Sequence, residues 1–182
     1  MNQETSRKTK GEKNKKSMNR ILLLVVVGSL AFLAAAGQPM TGATPVEPAQ
    51  RTEKDNRVDI VSAHPFARTI DNLTKALKEQ GMMIVATIDH QNMLTMVGAR
   101  IKGAKTIEFG KPDMGKMLLP MHPEVGLEMP GKVYVWERSD GKTVVSYYKS
   151  SPGFSSYGDE GVKKAGEMMD MMVSQIVQKA TQ

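Results

Sequence analysis

The chain has no cysteine among its 182 residues. Disulfides, thiol nucleophiles and thiolate metal sites are excluded together, and the fold has to hold by packing alone. Also missing are a Gly-rich phosphate loop, a His-Glu-x-x-His pair and a Gly-x-Ser-x-Gly turn. P-loop phosphate binding, zincin proteolysis and α/β-hydrolase chemistry therefore lack their parts. There is no internal repeat. The folded part also lacks excess charge. The whole chain carries +6, with a pI near 9.5. Of its 25 basic residues seven precede Ala36, and of its 19 acidic residues two do, which leaves 18 against 17 beyond it. Without a basic stripe, nucleic acid is not an expected partner.

What is present begins with an address. The seven cations from Arg7 to Arg20 precede an uncharged apolar run, Ile21 to Ala36, that ends in three alanines. A positive n-region, an apolar h-region and a small-residue end predict a secretory signal peptide in residues 1–36, cleaved after Ala36. The rival is an uncleaved signal anchor, since a spanning helix needs about 17–25 residues. Met18 offers an alternative start that shortens the n-region. Either way the positive flank stays inside and the rest of the chain crosses the membrane, to a periplasmic or extracellular location. Contact with the membrane is expected through this N-terminal segment alone. No cysteine follows it, so lipoprotein-type acylation has no acceptor. Residues 37–57 are rich in Pro, Thr and charge and read as a disordered linker.

The domain is expected over residues 58–182. "VDIVS" predicts a short strand. Phe66, Ile70, Leu73 and Leu77 recur at helical spacing up to Gly81, which suits a left-handed helix end. "MMIVATID" reads as a buried strand, and "HQNMLTMVG" as a short helix with Met93, Met96 and Val97 inward. "KTIEFG" is a further strand, and Pro112 with Asp113 suits a first helical turn. "KVYVWE" and "KTVVSYY" flank Asp140-Gly141, a strong hairpin signal. Residues 150–158 read as a loop, and Asp159 to Ala180 as the longest helix. The predicted class is α+β: a β-α-β-rich sandwich, mainly antiparallel, with helices on one face and an apolar N-terminal helix before it.

Three stretches, "TIDNLTKALKEQGMMIVATIDH", "IEFGKPDMGKMLL" and "GLEMPGKVYVWERSDGKTVVSYY", together resemble the Domain of Unknown Function 302 family. Its pattern is an amphipathic helix ending in Gly, a strand ending in Asp-His, an FG-x-P-x-x-G turn, an acidic-x-Pro before a strand, and a final hairpin and helix. The matching positions are Asp89, His90, Phe109, Gly110, Pro112, Gly115, Glu128 and Pro130. Glu128 stands where the family often has Asp. The resemblance covers about residues 58–180 and implies a TATA-box-binding-protein-like (TBP-like) α+β layer, with no established activity. The methionine load and Met121-His122 lie outside the pattern.

Several residues invite chemistry. Asp89 beside His90 could orient the imidazole for proton transfer or metal binding, or could simply cap the following helix. Between Gly110 and Pro130 the chain forms a long connection able to cover a pocket. With no thiolate, thioether and imidazole are the soft ligands left. Met117, Met121 and His122 are thus candidate ligands for copper as Cu(I), against the ordinary use of Met as core filler. On the last helix, Val162, Ala165, Met169, Val173, Ile176 and Ala180 share one face, while Met168 and Met171 fall outside it. An exposed apolar pair starts a patch, so these two are expected in a homodimer or protein-partner contact. Three functions remain open: an extracytoplasmic binding or interaction module without a cofactor, a small-molecule enzyme using Asp89 and His90, and a periplasmic Cu(I)-handling protein.

Overall fold

The computed structural model describes residues 50–182. Alternation of apolar and polar side chains along its strands sets the architecture. Six strands, β1 (Arg51–Lys54), β2 (Arg57–Val61), β3 (Met83–Asp89), β4 (Ala104–Gly110), β5 (Gly131–Glu137) and β6 (Thr143–Tyr148), form one sheet in the order β1-β2-β6-β5-β4-β3. Every pairing is antiparallel. Directly paired residues share a face. The row Ile107, Val133, Tyr147, Val58 and the row Val135, Val145, Ile60 therefore point the same way, and all are buried.

Two helices cover that face. α1 (Phe66–Glu79) lays down Leu73, Ala76 and Leu77, with Phe66 and Ile70 half-buried beside them. It ends at Gly81, whose φ of +71° is open to glycine at no steric cost. The 22-residue helix α5 (Glu160–Thr181) lays down Val162, Ala165, Met169, Val173, Ile176 and Ala180, the face its periodicity predicts. Asp159 caps it by accepting from the Val162 N–H at 2.9 Å. Each large side chain sealed here contributes about 1.5–3 kcal/mol of hydrophobic burial. The helices also approach closely where size permits. A Cβ on Gly166 would lie 2.6 Å from the Cβ of Phe154, in the short helix α4 (Ser151–Ser155).

The class is α+β as expected, with particular corrections. The sheet starts at Arg51, inside the stretch read as disordered linker, because Arg51–Lys54 pairs with Arg57–Ile60. β3 is an edge strand rather than a buried one, with a bulge between Ile84 and Ala86. α2 (His90–Met96) buries none of its residues, so Met93 and Met96, with Val97 after it, do not face inward. His90 packs on Thr106 and Tyr134, and from Gln91 onward every residue of this short helix is exposed. Residues 150–158 include α4 rather than loop alone. α3 (Pro112–Leu118) starts as Pro112 and Asp113 suggest, and a 3-10 turn at Pro123–Glu128 completes the long connection. The predicted signal segment, most of the linker and the alternative start at Met18 lie outside the described residues. Among the described residues, no helix is long and apolar enough to cross a membrane.

Candidate functional site

The face of the sheet turned away from α1 and α5 carries most of the polar chemistry. In register across it stand Thr106, Tyr134, Ser146 and Asp59, flanked by Lys132, Trp136 and Arg57. A hydrogen-bonded chain runs between them. The Trp136 indole donates to Ser146 Oγ at 3.0 Å, and Ser146 Oγ donates to Asp59 Oδ1 at 2.5 Å. Arg57 Nε donates to the same carboxylate oxygen at 3.0 Å. At the other end His90 Nε2 lies 2.8 Å from Thr106 Oγ1, and its ring meets Tyr134 edge-on, 5.7 Å between centroids at 81°. A groove of about 290 Å³ runs over this face between Arg57, Lys132, Tyr134, Ser146 and Tyr148. Lys132, the Arg57–Asp59 ion pair beside it, hydroxyls and two phenol rings suit an anionic group attached to a flat apolar body.

Asp89 and His90 do not form a dyad. Asp89 lies in register with Lys105, on the helix-covered side, whereas His90 reaches the opposite face. The Asp89 carboxylate accepts from the Asn92 N–H at 2.9 Å, capping α2, and pairs with Lys105 at 3.1 Å. The Asn92 amide first, and Lys105 second, hold its pKa below the usual aspartate value. Helix capping, one of the two roles open from sequence, is the one the carboxylate fills.

The other motif positions gather at the opposite end of β4. Phe109, Gly110, Glu128 and Pro130 line one void of about 30 Å³, together with Met114, Phe154 and Met169. That is room for a single water rather than a ligand. The peptide bond before Pro130 is cis. Phe109 is buried over Gly131, its partner across the β4–β5 ladder, where a Cβ would stand 3.1 Å from the ring. Pro112 and Gly115 belong to α3 and shape its start and its turn. Glu128 leans over Gly153 and meets the Tyr157 hydroxyl at 3.3 Å. Burial first, then the Glu128 charge, raises the Tyr157 pKa. A shallow cleft of about 220 Å³ beside these residues shares Lys132 and Tyr148 with the groove.

The sequence profile described as "Domain of unknown function DUF302" matches residues 58–179. The chain belongs to the DUF302 family. A crystal structure of an uncharacterized conserved DUF302 protein from Bacillus stearothermophilus aligns with a TM-score of 0.64, covering 70% of this chain and 99% of that one at 16% identity. That likeness establishes the DUF302 fold alone. Fluoride-specific ion channel FluC 1 of Brucella suis biovar 1 (strain 1330) is 29% identical over 85 residues, 47% of this chain and 34% of the channel. FluC 2 of Brucella melitensis biotype 1 gives the same identity and length, over 32% of that protein. The chain thus spans about a third of the curated relatives it matches.

The DUF302 motif is therefore split between two places. Phe109, Gly110, Glu128 and Pro130 come together, and Asp89 with His90 marks the other end of the sheet. The candidate copper ligands look elsewhere. Met117 and Met121 are exposed on and after α3. His122 turns Nδ1 toward Glu124 at 3.5 Å and Nε2 toward Asp159 at 3.7 Å, so both ring nitrogens face carboxylates. Among the described residues no three His, Asp or Glu groups stand where they could share a metal ion. Sequence reasoning missed Arg57, Asp59, Thr106, Lys132, Tyr134, Ser146 and Tyr148. The available signal was period-two alternation. Each of β4, β5 and β6 interleaves a polar or aromatic series with the apolar series that marks the core.

Proposed function

We propose that this DUF302 protein is a binding module, and that the groove on the open sheet face takes a small anion bearing a flat apolar part. The juxtaposition of Lys132 with Tyr134 and Tyr148, beside the Arg57–Asp59 pair, around about 290 Å³ carries the reading. The separation of Asp89 from His90 supports binding over an enzyme built on that pair. Placement outside the cytoplasmic membrane rests on the cationic flank before Ile21–Ala36. Met168 and Met171, 46% and 61% exposed, remain proposed for contact with a protein partner, with Cu(I) ligation as the alternative.

The single tryptophan reports on the groove, because Trp136 is bonded to Ser146 in its wall. Aromatic carboxylates and phosphates are titrated while Trp136 emission is followed. Binding predicts a saturable change, weakened at least tenfold by Lys132→Ala or Tyr134→Ala with the circular dichroism unchanged. A flat response to every anion, equal in all three proteins, would overturn the reading. Turnover of a probe, lost in His90→Ala, would replace it with an enzyme.

The 85 residues shared with fluoride channels favour a second reading, an accessory domain working beside a membrane transport protein. Co-purification of the tagged full chain with a membrane channel from its own cells tests it, and recovery of the chain alone argues against it.

A further inference from the structure

The two edges of the sheet are built differently. β1 reads Arg-Thr-Glu-Lys and is exposed throughout. Charged edges of this kind discourage further strand pairing. β3 reads Met-Ile-Val-Ala-Thr-Ile-Asp, and its one charge, Asp89, is held by Lys105. A seven-residue strand with a neighbour on one side leaves backbone N–H and C=O groups directed outward. Met83 and Val85 on this strand are more than half exposed, and in α2 and its C-cap Met96 and Val97 are 77% and 76% exposed. From Met82 to Ala99, Asp89 is the one Asp, Glu, Lys or Arg.

We propose that β3 and α2 form the contact between two copies of this chain, with β3 pairing antiparallel to its counterpart about a twofold axis near Thr87. Three features select a second copy as occupant. A strand edge needs backbone partners, which another strand supplies and lipid does not. A twofold contact is isologous, setting residue i against residue j and j against i, so the patch must complement itself. This strip does, since it holds no Lys, Arg or Glu and its one Asp, Asp89, pairs with Lys105 inside the protomer. Finally, a pairing centred on Thr87 sets Ala86 opposite Ile88, small against large on the same face. The bulge between Ile84 and Ala86 ends regular pairing on that side, so by symmetry the new ladder runs from Ala86 to Ile88. The apolar surface of α2 supplies the rest.

A chain without cysteine makes the test clean. Single substitutions Thr87→Cys, Met96→Cys, Tyr148→Cys and Met171→Cys are made in the full-length protein in detergent and mildly oxidised. The proposal expects a covalent dimer from Thr87→Cys, at least tenfold more than from Tyr148→Cys or Met171→Cys. It also expects light scattering to give the mass of two chains, falling to one in Thr87→Lys/Met96→Lys with unchanged circular dichroism. A single-chain mass for the unsubstituted protein at tens of micromolar would overturn it. So would cross-linking through Met171→Cys in place of Thr87→Cys. Loss of binding to anionic phospholipid vesicles in Met96→Glu, with a monomer throughout, would assign α2 to a membrane instead. Anion binding in the groove is read separately by Trp136 emission, so either idea can fail alone.

Discussion

Asp89 and His90 are consecutive in the chain, yet their side chains serve opposite faces of the sheet. Asp89 is bound to the Asn92 amide and Lys105, and His90 to Thr106. Because these contacts depress the Asp89 pKa, its share of stability is present above the usual aspartate range. It is lost as the pH falls through the lower, folded-state value. Asp89→Asn should therefore melt below the parent at pH 7, and the difference should shrink as the pH falls below the usual aspartate range and vanish once the folded-state carboxylate is protonated. A gap that persists in acid would show that the charge is not its source.

His90 holds the buried hydroxyl of Thr106. Removing one partner of such a bond costs about 1–3 kcal/mol. His90→Ala should lose that much in chemical denaturation, and His90→Ala/Thr106→Val should recover part of it. Simple addition of the two losses would mean that the bond contributes nothing.

Phe109 and Gly131 are matched in size across β4 and β5. Phe109→Ala empties a fully buried site and should cost about 3–5 kcal/mol. Gly131→Ala drives a methyl to within 3.1 Å of that ring and should cost about 1–3 kcal/mol. If the two losses add in the double substitution, the glycine is required for a reason other than the ring.

Burial raises the pKa of Tyr147 and of Tyr157, the latter with help from Glu128. A group whose folded pKa is raised gives stability that is complete below its unfolded value and lost as pH rises through the folded one. Stability should fall above about pH 10, and less steeply in Tyr147→Phe. An equal slope in the variant would remove Tyr147 as the cause.

β1 joins the sheet through its ladder to β2, Arg51 donating to Ser174 and Glu53 bonding Lys149 at 2.9 Å. Deleting residues up to Asn56 should lower Tm by roughly 4–8 °C. A freely disordered linker would leave it unchanged.

Most of the fold was legible because its signals were local. The hairpin at Asp140-Gly141, the stop at Gly81 and the buried stripe of α5 each depend on neighbours within a few residues. Errors arose where periodicity names an apolar face without naming what covers it. Met93, Met96 and Val97 show helical spacing, but all three stay exposed. The groove was missed for a related reason. Arg57, Lys132 and Ser146 look like solvated strand positions until β2, β5 and β6 are laid side by side, and that order is non-local.

The order of the sheet also governs when the chain can fold. β2 precedes the other core strands in synthesis, yet its inner neighbour is β6, the last strand, with Val58 opposite Tyr147. The Ala63 amide then donates to Thr181, in the final turn of α5. The β3–β4 and β5–β6 hairpins can form early, but closing β2 on β6 must overcome the entropy of a long loop. Until the final helix has been made, Val58 and Ile60 have no core to enter. In an elongating chain of this design the sheet cannot close until β6 and α5 have been made.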